Sequence, residues 1–78
     1  MKYQFDSKQL GRNIQHNRKK LFPKQSDLAD RLKVSTKTIS NWELGLINPS
    51  ISKLILLHYL FCCSMDDLLK NTHYFEGE

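Results

Sequence analysis

The 78-residue sequence predicts an all-α domain built from five short helices. Three observations favour this fold class. Apolar residues recur at intervals of three and four along most of the chain, which is the spacing of one helix face. Ser or Asp residues precede several of these segments, where they can cap a helix. Alternation typical of a strand is confined to Tyr3–Phe5, which is expected to form no more than a short edge strand.

The first helix is expected to begin after Asp6 or Ser7, either of which can cap it. Gln9 stands where it would complete a capping box. Pro23 ends this helix or opens the next. The helix turns one stripe of residues inward, namely Leu10, Ile14, Arg18 and Leu21.

Two further helices are separated by a tight break at Lys33–Ser35. Ser35 suits the N-cap of the third helix, which is expected to run to about Glu43. Ile39 and Trp42 are the apolar residues of that helix, so its outer face is hydrophilic. The inward residues of the second helix are Leu28, Ala29 and Leu32.

Gly45 is expected to end the third helix, and Asn48–Ser50 forms a turn that starts a fourth helix over about residues 51–61. The fourth helix is apolar nearly all round, and a last helix begins at Ser64. The predicted core residues of the fourth helix are Leu54, Leu57, and Leu60 or Phe61. Residues 1–70 are therefore predicted to form one domain, followed by a C-terminal tail over residues 71–78 that is expected to be frayed from His73 to Glu78.

The second and third helices have the layout of a helix-turn-helix over about residues 25–43. The segment from Gln25 to Gly45, QSDLADRLKVSTKTISNWELG, resembles the phage-repressor and Cro-type (xenobiotic-response-element-like) helix-turn-helix family. The resemblance extends without gaps from about residue 10 to residue 69. It implies a five-helix repressor-like domain of phage or bacterial type. It also implies a sequence-specific transcriptional regulator that reads the major groove of double-stranded DNA with its third helix. Repression is the preferred interpretation, and activation stays open.

The resemblance also implies roles for individual residues. The base-contacting positions of the recognition helix correspond to Thr36, Lys37, Ser40 and Asn41. The phosphate-contacting positions correspond to Lys24, Gln25, Ser35 and Thr38. Arg18 and Glu43 match a buried salt bridge that orients the recognition helix in similar proteins.

This sequence departs from the family pattern at several positions. Lys24 replaces the Ser or Thr that usually caps the second helix, so a weaker cap is expected. Lys33 replaces the usual turn glycine, and a left-handed conformation there would be strained. Leu44, Leu46 and Ile47 stand where relatives often carry polar or basic residues.

Several apolar residues have no obvious place in the core, and they predict a homodimer on a pseudo-palindromic operator. The residues of this possible dimer interface are Leu44, Leu46, Ile47, Leu56, Tyr59 and Cys63. A deeply buried fourth helix, or simply an apolar surface, would explain the same pattern. The alternative function is a protein-interaction module of the same fold, such as an antitoxin or a bridging coactivator, which would use these residues to bind a protein partner.

The charge distribution favours a polyanionic partner. Residues 1–60 carry 11 Lys and Arg against 4 Asp and Glu, a net +7, whereas residues 61–78 carry Lys70 against four acidic residues, a net −3. A basic body is typical of proteins that bind nucleic acid, although it is also compatible with an ordinary solvated surface.

Other function classes find no support in the sequence. No nucleophile is paired with a base and no glycine-rich loop is present, so neither an enzyme nor a cofactor is expected. His16, His58 and His73 lie on separate elements without ligand spacing, so no metal site is expected. The adjacent Cys62 and Cys63 do not suit a disulfide, no apolar leader is recognisable, and the longest apolar run is too short for a membrane span. A cytoplasmic protein without a membrane or small-molecule partner is the expectation.

Overall fold

The computed structural model describes residues 2–76. It contains five helices and two short strands. In chain order the elements are β1 (Lys2–Phe5), α1 (Ser7–Leu21), α2 (Gln25–Leu32), α3 (Thr36–Glu43), α4 (Ile51–Phe61), α5 (Met65–Leu68) and β2 (His73–Glu76). The predicted five-helix fold class is confirmed, with the addition of a small sheet. Within the described residues, no helix is long and apolar enough to span a membrane.

Side-chain caps fix where the helices start. The Asp6 carboxylate accepts a hydrogen bond of 2.9 Å from the Gln9 backbone N–H at the start of α1. Ser35, Ser50 and Ser64 cap α3, α4 and α5 in the same way, each accepting from the backbone N–H three residues ahead. These bonds satisfy backbone donors that a helix leaves unpaired at its N-terminus.

The turn between α2 and α3 uses a left-handed residue that is not glycine. Lys33 has a φ of 57°, as the resemblance anticipates for a retained turn geometry. The Val34 N–H donates 3.0 Å to the Ala29 carbonyl and closes the end of α2. Side chains with a Cβ are less stable in this conformation, so Lys33 carries strain that a glycine would avoid.

The core lies where the five helices meet. Its buried apolar residues are Leu10, Ile14, Leu28, Ala29, Leu32, Ile39, Trp42, Leu57, Phe61 and Leu68. Gly11 allows α1 to approach the end of α3 closely, because an added Cβ would lie 2.4 Å from the Glu43 carbonyl oxygen. The backbone at the end of the recognition helix α3 therefore lies directly against the backbone of α1.

Residues 73–76 form a strand, so the prediction of a frayed tail beginning at His73 is wrong for them; Gly77 and Glu78 lie outside the described residues. β2 pairs antiparallel with β1, with Tyr3 opposite Phe75 and Phe5 opposite His73. The two strands form a ribbon, which is attached to the helical body where the Asp6 N–H donates to the Thr72 carbonyl at 2.5 Å. The pairing supplies hydrogen-bond partners that the C-terminal segment lacks by itself.

Candidate nucleic-acid interface

Helix α3 separates its apolar residues from its polar ones. Ile39 and Trp42 are buried in the core and hold the helix to the body. The four predicted base-contacting residues lie on the other side, two of them exposed and two half-buried; in chain order they are Thr36, Lys37, Ser40 and Asn41. The side chains point away from the core on a helix of only two turns. A projecting, hydrophilic short helix of this kind fits the width of a DNA major groove.

A buried ion pair fixes the end of α3. The Arg18 Nε donates to Glu43 Oε2 at 2.5 Å, and both side chains are almost fully buried, at 4% and 2% exposure. The Arg18 Nη1 donates to the carbonyls of Phe22 and Pro23, at 3.0 and 2.9 Å. One guanidinium therefore ties α1, the connection after it and the recognition helix together.

Gln25 joins this pair as a third member. Its Nε2 donates 2.9 Å to Glu43 Oε1, the second oxygen of the same carboxylate. Gln25 is the first residue of α2, so Glu43 links α1, α2 and α3 through one side chain. Sequence reasoning predicts a phosphate-contacting role for Gln25 but not this bond, because nothing in the local pattern shows which acceptor the amide meets. The amide keeps one N–H that is not directed at Glu43.

The start of α2 presents the other predicted phosphate contacts. The Lys24 side chain makes no capping bond and is exposed, while its backbone N–H donates 3.3 Å to the Asp27 carboxylate. The first turn of α3 carries Ser35 and Thr38, whose hydroxyls are 2.9 Å apart. Backbone N–H groups and a partial positive charge at helix N-termini favour phosphate oxygens at such places.

Lys53 makes a contact that the sequence did not reveal. Its Nζ donates 3.3 Å to the Leu32 carbonyl at the end of α2. Lysine at the C-terminus of a helix satisfies an unpaired carbonyl and complements the helix dipole. The helix-turn-helix is therefore connected to α4 as well as to α1.

The predicted dimer residues lie mostly in solvent. Leu44, Leu46, Ile47, Leu56 and Tyr59 are exposed, and Cys63 is half-buried. The structure adds two exposed residues of α4 to this group, Ile51 and Ile55. We call the exposed apolar surface of the α3–α4 connection and of the outer side of α4 the α4 face; its residues are Leu44, Leu46, Ile47, Ile51, Ile55, Leu56 and Tyr59. An outer helix side without charge is unusual for a monomer in water.

The histidines and cysteines do not assemble into a site. No group of three potential ligands that could hold a metal ion occurs among residues 2–76. His58 Nδ1 donates 2.6 Å to the Cys63 carbonyl, which explains a half-buried histidine in α4. Cys62 and Cys63 are both free thiols, and burial raises the pKa of the Cys63 thiol.

Comparison with known proteins decides the family. Residues 24–68, more than half of the chain, match a family model described as helix-turn-helix, of the Cro and C1 type. The chain belongs to this family. No curated protein matches the sequence. Members of the Cro and C1 helix-turn-helix family are DNA-binding regulators of transcription and typically not enzymes, and the five-helix fold described here is consistent with a compact domain of this type.

Proposed function

We propose that this Cro and C1 family member binds a specific double-stranded DNA operator as a homodimer and represses transcription there. The observation that carries the proposal is the construction of α3. Its apolar side is locked to the body by the core and by the Arg18–Glu43–Gln25 contacts, and its other side offers polar groups to solvent. Such a helix keeps one orientation before DNA binds, so binding costs little conformational entropy.

Base reading is assigned to the outer side of α3. Asn41 offers an amide that can pair bidentately with adenine, and Lys37 reaches acceptors of guanine. Thr36 and Ser40 supply a methyl group and hydroxyls of shorter reach. The helix presents these groups without an intervening bulky side chain, so direct contact with base edges is expected.

Phosphate positioning is assigned to Lys24 and Gln25 at the start of α2, and to Ser35 and Thr38 at the start of α3. Gln25 has a double role in this proposal. Its bond to Glu43 fixes the amide, and the remaining N–H is then available to a phosphate oxygen. Contacts of this kind set the register of a protein on DNA without reading the sequence.

The homodimer is proposed to form through the α4 face. One recognition helix reads only a few base pairs, so two copies about 34 Å apart are normally needed for a useful site. Ile51 and Tyr59 are 75% and 70% exposed, and with their neighbours they offer the self-complementary apolar surface that a two-fold interface requires. The interface is small, so we expect it to close fully only on the operator.

A regulator of this kind works in the cytoplasm and requires no metal, cofactor or small-molecule ligand for DNA binding.

The second candidate function is a protein-interaction module, such as an antitoxin or a bridging coactivator. The apolar α4 face is the observation that favours it, because a partner protein could cover the same surface.

Selection of bound sequences from random duplex DNA, at two salt concentrations, tests the proposal. We expect one enriched, pseudo-palindromic sequence, bound at about 10⁻⁸ to 10⁻¹¹ M and weakening steeply with salt. Equal, weak binding to every duplex would refute DNA reading, and would favour the partner-binding function.

Matched variants then separate reading from positioning. Asn41→Ala and Lys37→Ala should relax the preference at individual base pairs, at about 1–3 kcal/mol each. Gln25→Ala should weaken binding to all sequences alike. The docking arrangement is wrong if Gln25→Ala changes the preferred bases while Asn41→Ala does not.

A further inference from the structure

A polar groove of about 620 Å³ lies between α1, the end of α4 and α5. Helix α1 lines it with residues at the helical spacing of three and four, namely Gln9, Asn13, His16, Asn17 and Lys20. Gly11 and Arg18, which meet α3, lie on the other side of α1. A ligand in the groove therefore does not compete for the surface of the recognition helix.

Hydrogen bonds within the chain fix the two walls of the groove. The Asn13 Nδ2 donates 2.9 Å to the carbonyls of both Leu68 and Lys70, which joins the middle of α1 to the end of α5. The Asn13 Oδ1 accepts from the Gln9 Nε2, also at 2.9 Å. The Asn13 amide is thus used inside the protein. Because these bonds set the spacing of the walls, ligand binding would cost little conformational entropy.

Other polar groups of the groove keep hydrogen-bonding capacity for a ligand. The Asn17 amide donates one N–H to the Asn13 carbonyl at 2.9 Å, and its second N–H and its oxygen are left over. Lys20, Lys70 and Asn71 are exposed, and within residues 2–76 their side chains make neither a hydrogen bond nor an ion pair. The lining holds two lysines against one acidic residue, Asp67, so its formal charge is positive.

We propose that this groove binds a small organic anion, whose carboxylate or phosphate group is held by Lys20 and Lys70 and whose polar body meets the amides of Asn17 and Asn71. Lys20 lies two helical turns, about 10 Å, beyond Asn13, which holds the Lys70 backbone. The flexible four-carbon stems of both lysines can bring their ammonium groups to one ligand from opposite ends. Ammonium donors form short, charge-assisted hydrogen bonds with carboxylate and phosphate oxygens.

The size and the charge of the groove limit the class of ligand. Its volume lies within the range of small-molecule sites, roughly 300–1,000 Å³. An apolar ligand would leave the amides of the lining without partners, which is unfavourable. A cation would meet Asp67 but also two ammonium groups, so an anion fits better. Ion pairs with exposed lysines are weak, and we therefore expect a Kd of about 0.1–1 mM.

An NMR titration of the full-length, isotope-labelled chain tests the site without DNA. The probes are succinate and glycerol 3-phosphate, each added against NaCl at constant ionic strength, because salt screens exposed charges. We expect saturable shifts of the Asn17 and Asn71 side-chain amides, and no shift of the Asn41 amide on α3. Tighter binding of succinate would identify the carboxylate as the preferred group, and tighter binding of glycerol 3-phosphate would identify the phosphate.

Single-charge variants test which groups hold the anion. Lys20→Gln and Lys70→Gln should each weaken binding by about 3–10-fold. The matched control is Lys19→Gln, which removes the same charge from the neighbouring exposed residue outside the groove and should leave the Kd unchanged. Asp67→Asn should strengthen binding by about 2–5-fold, because it removes the acidic residue of the lining.

Four results would overturn the site. Equal weakening in Lys20→Gln and Lys19→Gln would show only a general effect of charge. Weaker binding in Asp67→Asn would show that the groove prefers a cation. Shifts centred on Lys37 and Asn41 would place the anion on α3 instead. The last is the lack of saturable shifts with either probe up to about 10 mM, ten times the weakest expected Kd. Operator selection is a separate experiment, so failure of DNA binding and failure of this site are distinguishable.

Discussion

Removal of the Arg18 guanidinium tests the central claim about the interface, namely that a buried network orients α3. The Glu43 side chain is only 2% exposed, and in Arg18→Met its carboxylate keeps only Gln25 as a side-chain donor. The carbonyls of Phe22 and Pro23 lose their donor as well. Breaking one partner out of a buried pair costs about 3–5 kcal/mol, because a charge is left without compensation.

That loss is large for a chain of this length. Domains of this class are stable by roughly 0.05–0.15 kcal/mol per residue, so 3–5 kcal/mol removes much of the total. At about 4–8 °C per kcal/mol for a domain of 60–100 residues, the midpoint of thermal unfolding should fall by roughly 12–40 °C. Urea unfolding followed by the Trp42 fluorescence measures the loss of free energy, and thermal unfolding followed by circular dichroism measures the midpoint.

A double-mutant cycle is the control. Arg18→Met combined with Glu43→Leu replaces the pair by apolar side chains, so it should recover much of the stability that either single variant loses. Additive losses would show that the two side chains do not interact, and would refute the reasoning. Gln25→Ala should cost only about 1 kcal/mol, since it removes one hydrogen bond and no charge.

Four other variants probe single features. Gly11→Ala places a methyl group 2.4 Å from the Glu43 carbonyl oxygen, so we expect a loss of about 1–3 kcal/mol in urea unfolding and weaker operator binding. Lys33→Gly relieves the left-handed residue of the turn and should raise stability by up to about 1 kcal/mol; a lower midpoint would contradict the strain. Lys53→Met leaves the Leu32 carbonyl without its donor and should lower the free energy of unfolding by about 0.5–1.5 kcal/mol, which urea titration resolves. Tyr59→Lys should reduce the copies bound per operator from two to one, counted by native mass spectrometry, and a retained pair would exclude the α4 face.

Local chemistry determined most of the helical architecture. Capping Ser and Asp residues, the spacing of apolar side chains and the break at Lys33–Ser35 act within a few residues, so the sequence alone predicts the five helices and the helix-turn-helix. The same local reasoning assigns Ile39 and Trp42 to the core and leaves the polar face of α3 outward. The family resemblance was confirmed by the family match.

Only the tertiary structure decided the contacts between distant segments. Residues 73–76 have no helix signal and are interpreted as a tail, because their partner strand lies about seventy positions away. Tyr3–Phe5 is predicted as a short edge strand, but nothing local shows which segment pairs with it. The bond from Gln25 to Glu43 depends on where Arg18 brings the carboxylate, and the bond from Lys53 to Leu32 depends on how α4 crosses the end of α2. Residue type states which hydrogen bonds a side chain can make, whereas the packing of the helices selects the partner that it meets.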